Sequence, residues 1–408
     1  MQDNKQAISN HLKLLLYCTL AITIVGCAFF VADQFSLWHL WGIPRSQEYG
    51  ADFYALVSAA KCDALGYNTF LTNPCDPYDR VHVYSPWWLI LDNLGATQAN
   101  AHIISTTISV LFIISVVLIL QPENIAQLFF VVTTLLSSAI ALGIERANND
   151  LIFFILIALA CRLLSATSTA AKFFAFILIM LASTLKFYPL VAFSVYLRAT
   201  LSNVRFWLIA LIAALAFTTS IAISWQDLNQ LSLPSPAYRY TFGARYLFQF
   251  ILPSLPYFKI TLLVWSALLV ASFIVVKPQA NKSNGDLYKE LLFIAGYSMA
   301  LVAFVFSNNY EYRCIFFILC LPMLLLYLKD GNQRNNIKLI IAMIIVVCWW
   351  ELIVNIAVSF GGERSQLAYS ALWIEQVITW FLMIKLLIIS MRLTKPLLLQ
   401  RLGLDLKG

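Results

Sequence analysis

Long apolar runs dominate the sequence and restrict its fold more than any other feature. They lie at 14–31, 100–120, 126–143, 150–165, 173–185, 187–197, 206–224, 260–276, 290–306, 314–328, 338–353 and 373–391. A helix that spans a bilayer needs about 20 predominantly apolar residues, and its backbone polar groups must be paired inside the protein. The runs therefore predict an all-α polytopic membrane protein with roughly ten to twelve transmembrane helices.

The composition indicates one integral membrane domain over residues 1–408. The chain is 61% hydrophobic and 12% charged, whereas soluble domains are about 45–50% apolar. The longest polar segments, 33–83 and 225–259, are too short for a separate nucleotide-binding domain of about 100 residues, and the sequence has no P-loop pattern. We therefore expect any substrate to arrive already activated, from the membrane or from outside.

The runs 173–185 and 187–197 flank Lys186 and are too short to span a bilayer separately. Together they are slightly long for one helix, and Pro189 interrupts them. The sequence allows two interpretations, one kinked span or a re-entrant pair that is buried in protein.

The distribution of Lys and Arg predicts the orientation. With a cytoplasmic N-terminus and with 173–197 crossing as a pair, most of the 27 Lys and Arg residues fall on the cytoplasmic side. The net charge of +7 then indicates anchoring to anionic lipids rather than nucleic-acid binding. We expect a bacterial inner (plasma) membrane, with the loops 33–83 and 225–259 on the periplasmic side. Cys62 and Cys75 of the first loop form either a disulfide or two free thiols.

An acid in the first outer loop raises a question of function. The stretch EYGADFYALVSAAK, at 48–61, predicts a helix lying at the membrane interface, because apolar residues repeat at helical spacing at Phe53, Leu56, Val57, Ala60 and Ala64. Asp52 lies in the first turn, where the helix dipole favours negative charge. It is either a helix-stabilising acid or a catalytic carboxylate.

Polar side chains also occur at the outer ends of four apolar runs: HVYSPWW (82–88), IERANND (144–150), TLKFYP (184–189) and SNNYEYR (307–313). A charge at a helix centre costs about 2.5–3.5 kcal/mol on insertion scales. Lys186 either snorkels to the headgroups or serves a site.

Arg146 and Arg313 either pair with the nearby Glu145 and Glu311 or join Lys186. Three cations facing Asp52 would suit a general base and a phosphate leaving group. His82 either binds phosphate or caps the helix that follows. Four histidines without clustered ligands predict no metal and no cofactor.

The polar stretches, taken in order, resemble a known family. The pattern comprises D-F-Y in the first outer loop, Tyr-Ser-Pro before a helix, N-N-D, K-x-Y-P at a broken span, and a late Y-R. It resembles the C-type (GT-C) membrane glycosyltransferases. The similarity is greatest to glycosyltransferase family 87, the polyprenol-phosphate-mannose-dependent α-mannosyltransferases. The chain has Tyr84-Ser85-Pro86 where related sequences often have Tyr-Pro-Pro.

This resemblance implies a reaction and a set of site residues. A sugar, such as mannose, would move from a polyprenyl phosphate to a hydroxyl of a lipid-linked glycan or glycolipid, in one inverting step without a metal. Asp52 would be the general base, and the donor phosphate would be bound by Lys186, Arg146, Arg313 and His82. Sugar or acceptor contacts would come from Tyr54, Tyr84, Asn148, Asn149 and Tyr188.

Two other classes of function fit the sequence. A transporter or flippase for a lipid-linked glycan would also bury cations and amides in a helical bundle, and would be expected to contain paired broken segments. An envelope polysaccharide polymerase or ligase would also use polyprenyl-linked sugars. The loop 225–259, however, has Arg239 and Arg245 without a histidine.

Overall fold

A computed structural model describes residues 2–46, 48–198, 202–223, 225, 239–251, 256–277, 286–306, 309–329, 333–362 and 366–402. Of the predicted outer loop 225–259, residues 226–238 and 252–255 lie outside this described part.

Most of the described chain is helical, and it has almost no strand. The first eight α-helices are α1 (Gln2–Gln34), α2 (Ala51–Ala64), α3 (Ala101–Leu120), α4 (Ile125–Leu135), α5 (Ser138–Glu145), α6 (Asp150–Leu164), α7 (Thr169–Leu185) and α8 (Asn203–Ile223). They are followed by α9 (Arg245–Ile251), α10 (Tyr257–Val275), α11 (Leu287–Phe306), α12 (Ile315–Lys329), α13 (Arg334–Cys348), α14 (Trp350–Gly361) and α15 (Gln366–Arg401). Three 3-10 helices cover Pro86–Leu91, Tyr188–Leu197 and Glu311–Cys314. Two short strands, β1 (Thr241–Phe242) and β2 (Asn309–Tyr310), pair antiparallel, with Thr241 opposite Tyr310.

Seven described helices are long and apolar enough to cross a membrane, and the number rises to nine if each of two bent pairs is one span. The bent pairs are α4 with α5, at 65°, and α13 with α14, at 54°. These helices confirm the prediction of an all-α polytopic membrane protein. The count is lower than the predicted ten to twelve because α6 and α7 are too short to be counted as spans. They have only 15 and 17 residues, which is about 23 and 26 Å.

The segment around Lys186 forms a hairpin. Helix α7 ends at Leu185, Lys186 is extended (φ −156°, ψ 127°), and the chain returns as the 3-10 helix Tyr188–Leu197. Near the other end of the hairpin, the Tyr196 hydroxyl donates to the Lys172 carbonyl at 2.8 Å. Of the two interpretations, the described geometry is the pair of antiparallel segments, and it puts Lys186 at the tip.

Charged contacts lie at both ends of the helical bundle. At one end, Lys13 and Lys329 contact Glu123, and Arg198 pairs with Glu290. The opposite end holds the start of α2, the α5–α6 loop and the tip of the hairpin. Helices α6 and α7 connect these ends although each is shorter than a typical span.

Close packing of α11 on α12 makes Gly296 a sensitive position. A Cβ atom there would lie 2.6 Å from the Leu319 Cβ and 2.7 Å from the Phe316 carbonyl oxygen. We expect Gly296→Ala to lower the free energy of unfolding by about 1–3 kcal/mol, because both neighbours are buried and the core must shift. Thermal unfolding in detergent measures the change.

Gly26 in α1 provides the matched control, because a Cβ there meets nothing within 4 Å. Alanine is the better helix former by about 0.8–1.0 kcal/mol, so Gly26→Ala should leave stability unchanged or raise it. Equal melting temperatures for Gly296→Ala and the unmodified protein would contradict the described packing of these helices.

The predicted outer loop 33–83 contains a disulfide between Cys62 and Cys75, one of the two alternatives that the sequence left open. The bond joins the last turn of α2 to a turn 13 residues later. Closing a loop of about 15 residues stabilises a fold by about 3 kcal/mol in the chain-entropy model. We expect Cys62→Ser with Cys75→Ser to lower the melting temperature.

The matched control for the disulfide is Cys27→Ser, since Cys27 is an exposed free thiol of α1. Maleimide labelling under denaturing conditions, with and without reductant, reports the bond directly. Two labelled loop thiols without reductant would contradict it.

Candidate functional site

The first turn of α2 holds Asp52 against the loop between α5 and α6. Gly50 precedes the helix with φ 76°, and a Cβ there would lie 2.3 Å from the Ser105 hydroxyl oxygen, so this position requires glycine. The Gly50 and Asp52 amides donate to the carbonyls of Glu145 (2.8 Å) and Arg146 (3.1 Å). These two hydrogen bonds dock the helix and fix where its carboxylate points.

The Asp52 carboxylate lies within the protein rather than in bulk solvent. Its side chain is 13% exposed. Oδ2 accepts a hydrogen bond from the Asn148 amide nitrogen at 2.6 Å, and Oδ1 lies 3.8 Å from an Arg146 guanidinium nitrogen. The interpretation of Asp52 as only a helix-stabilising acid does not account for these two partners from another loop.

Lys186 lies beside the same loop, in a cage of aromatic rings. Its Nζ donates to the Asn149 side-chain oxygen at 2.9 Å and to Asp150 Oδ1 at 2.5 Å. The ring centroids of Tyr84, Phe153 and Tyr188 are 5.4, 5.7 and 5.5 Å from Nζ. Aromatic faces attract cations, so the ammonium is held by both charge and ring contacts. The snorkelling interpretation does not account for these partners.

Arg313 approaches the same place from the 3-10 helix Glu311–Cys314. Its Nε lies 3.3 Å from Asp150 Oδ2, and its guanidinium carbon is 5.1 Å from the Tyr188 ring centroid. It therefore contacts Asp150 rather than the nearby Glu311, which is buried in a different group with Glu351 and Glu375 nearby. The structure thus brings Arg313 beside Lys186, one of the two alternatives that the sequence left open, but both cations contact Asp150 rather than Asp52.

Arg146 is the third cation, and its contact with the site is with the Asp52 carboxylate. A second guanidinium nitrogen donates to the Pro44 carbonyl at 3.3 Å, and the guanidinium carbon lies 5.3 Å from the Tyr310 ring centroid. The next residue, Ala147, has a φ of 43°, in the left-handed region that non-glycine residues rarely adopt. Such strain persists only where surrounding contacts enforce it, and it is often found at functional sites.

The remaining predicted site residues divide into two groups. Tyr84 and Tyr188 contribute rings to the cage, and Asn148 and Asn149 bond to Asp52 and Lys186 respectively. Tyr54 lies on another face of α2, where its charged neighbours are Glu48 and Asp76.

His82 lies behind the cage rather than in it. Its ring is 3% exposed and packs edge-on against Phe70, and Nε2 donates to the Ser85 carbonyl at 3.1 Å. Burial lowers the pKa of His82 to about 4, so the ring is neutral at pH 7. Burial also raises the pKa of the neighbouring Tyr84 hydroxyl. A neutral, buried imidazole does not suit phosphate binding, and the cap of the following 3-10 helix is the Ser85 hydroxyl, which accepts from the Trp87 amide at 3.4 Å.

Asp150 is the functional candidate that the sequence analysis missed. Its carboxylate is fully buried and accepts from both Lys186 and the Tyr188 hydroxyl, the latter at 2.8 Å. In sequence it reads as an ordinary acid in the first turn of a helix, where negative charge is favoured. The signal that could have identified it is its place beside Asn148 and Asn149, at the start of an apolar run.

Among the described residues, no group of three or more His, Cys, Asp or Glu side chains could hold a metal ion. The groups described at the site are cations, carboxylates, amides and aromatic rings. Such a set can bind an anion and accept a proton from a neighbouring hydroxyl.

Comparison of the chain with protein-family models, curated proteins and solved structures gives no match. The fold and the apolar helices define an all-α integral membrane protein. Its charged cluster, formed by Asp52, Arg146, Asp150, Lys186 and Arg313, lies at one end of the helical bundle. We call this set the charged cluster.

Proposed function

We propose that the protein is a membrane glycosyltransferase. It would move a hexose, such as mannose, from a polyprenyl phosphate to a hydroxyl of a lipid-linked glycan or glycolipid. One observation carries the proposal: a carboxylate and an ammonium group meet at one short loop. Asn148 binds Asp52 at 2.6 Å, and the next residue, Asn149, binds Lys186 at 2.9 Å.

The charged cluster has the groups that this transfer needs. The acceptor hydroxyl attacks the anomeric carbon while Asp52 takes its proton, and a positioned base contributes about 10²–10⁴-fold to such a step. The bond from the anomeric carbon to the phosphate oxygen breaks, and its electron pair leaves with the phosphate. Lys186 and Arg313 stabilise that developing charge, which preorganised cations do best in a water-poor site. Attack opposite the leaving group inverts the anomeric configuration.

The position of the cluster suits a lipid-linked donor. Lys186 lies at the tip of a hairpin whose two segments are strongly apolar, so a phosphate there would lie at the edge of the hydrocarbon with its tail beside the helices. We place this end of the bundle on the periplasmic side of a bacterial inner membrane. The disulfide in the first loop supports an oxidising compartment.

The test is sugar transfer by purified protein in proteoliposomes. Radiolabelled polyprenyl-phosphate mannose and polyprenyl-phosphate glucose are supplied with lipid extracts as acceptors, and labelled glycolipid is separated by chromatography. The proposal expects a labelled product that requires intact Asp52. Failure to transfer either sugar to any acceptor, by folded protein, would count against this function.

A transporter of lipid-linked glycans is the second candidate, and the two bent helix pairs favour it. Broken helices often line substrate paths in transporters, and bends of 65° and 54° occur at α4–α5 and α13–α14. The same proteoliposomes distinguish the classes. A transporter moves a fluorescent polyprenyl-phosphate sugar between leaflets without changing it chemically, whereas a transferase consumes the donor.

A further inference from the structure

Asp150 lies beneath the two cations of the proposed phosphate site and cannot itself reach a ligand. The side chain of Asp150 is 0% exposed, whereas those of Lys186 and Arg313 are 13% and 14% exposed. Oδ1 accepts from Lys186 at 2.5 Å, and Oδ2 lies 3.3 Å from Arg313 Nε. The carboxylate therefore forms the back of the site, and the two cations form its accessible face.

The two cations come from different parts of the chain, and the partners described for both are Asp150 and the Tyr188 ring. Lys186 is an extended residue between two helical segments, and Arg313 belongs to a short 3-10 helix. Two like charges so close repel each other, and one buried carboxylate between them offsets this repulsion. The Tyr188 hydroxyl, bonded to the same Oδ1 at 2.8 Å, orients the carboxylate.

We infer that Asp150 is a positioning residue that holds Lys186 and Arg313 at the spacing needed to bind a lipid phosphate. The inference rests on the proposed function. Two cations and one buried carboxylate leave one net positive charge, directed at the accessible side. Without Asp150 the cations would separate, and the phosphate would lose its simultaneous contact with both.

Binding of farnesyl phosphate, measured by calorimetry on purified protein in detergent, tests this inference without any need for catalysis. We expect Asp150→Asn to weaken binding about 10- to 100-fold, as expected when one of two charge-assisted contacts is lost. Asp150→Glu keeps the charge but displaces it by one methylene, and should weaken binding less. A purely structural role would lower the melting temperature without this graded change in affinity.

Glu290→Gln is the matched control, because Glu290 is a buried acid paired with Arg198 at the opposite end of the bundle. It should leave farnesyl phosphate affinity unchanged even if it lowers stability. If Asp150→Asn does not fold, the affinity of Asp150→Glu for farnesyl phosphate tests the inference.

Unchanged or tighter binding by a folded Asp150 variant would overturn the inference alone. Absence of binding by the unmodified protein would overturn the proposed function together with it.

Discussion

Asp52→Asn is expected to reduce sugar transfer by about 10²–10⁴-fold while the protein remains folded, because the side chain keeps its shape but no longer takes a proton. The amide can still hydrogen-bond to Asn148, and the backbone bond from residue 52 to the Arg146 carbonyl is unaffected. The loss should therefore appear mainly in kcat, with a smaller change in the KM for the donor. Initial rates at several donor concentrations separate the two.

Asp33→Asn is the matched control for this substitution. Asp33 lies at the end of α1 and, like Asp52, is an acid near an arginine, but its side chain is 40% exposed. Exposed ion pairs contribute only about 0–1 kcal/mol to stability. We expect near-normal transfer from this variant. If Asp52→Asn transfers sugar as fast as Asp33→Asn does, Asp52 is not the base.

Lys186→Gln is expected to lower kcat/KM for the polyprenyl-phosphate donor by about 10²–10³-fold, the effect seen when one preorganised donor to a developing anion is removed. Glutamine retains much of the apolar stem and can still bond to Asn149, but it carries no charge against the phosphate. The KM for the acceptor should change little, because the acceptor hydroxyl is assigned to Asp52. Steady-state rates with each substrate varied in turn measure this difference.

Two further variants make the Lys186 test specific. Lys61→Gln removes an exposed lysine of α2 that donates to Gln98, and should leave all rates unchanged. Lys186→Arg keeps the charge, yet a planar guanidinium differs in shape from the ammonium that fits among the Tyr84, Phe153 and Tyr188 rings. It should restore only part of the activity. Equal losses of kcat/KM for the donor and for the acceptor would indicate a general packing defect.

The polar residues illustrate how far local sequence could predict the site. Asp52, Lys186 and Arg313 stood out because charge is costly next to long apolar runs, and this cost does not depend on the rest of the fold. Their partners were not predictable in the same way. Arg146 and Arg313 each have an acid within two residues in sequence, yet the ion pairs described are with Asp52 and Asp150.

The segment around Lys186 also combines a feature that the sequence predicted with one that it did not. Its two short apolar runs and Pro189 predicted an interruption, since proline cannot continue a helix without losing a hydrogen bond. Whether the second run continued across the membrane or turned back depended on contacts with distant residues. The Trp88 indole donates to the Leu185 carbonyl at 3.0 Å and satisfies one group at the end of α7.

The sequence by itself determined that this protein is a bundle of membrane helices, because the apolar runs leave lipid as their only suitable surroundings and helices as their main structure. It also identified the charged side chains whose free-energy cost next to apolar runs suggested a functional role. Only the tertiary structure decided that Asp150 lies under Lys186 and Arg313, three residues far apart in the chain. Such a pairing depends on how helices pack against one another, and no local pattern of residues encodes that distance.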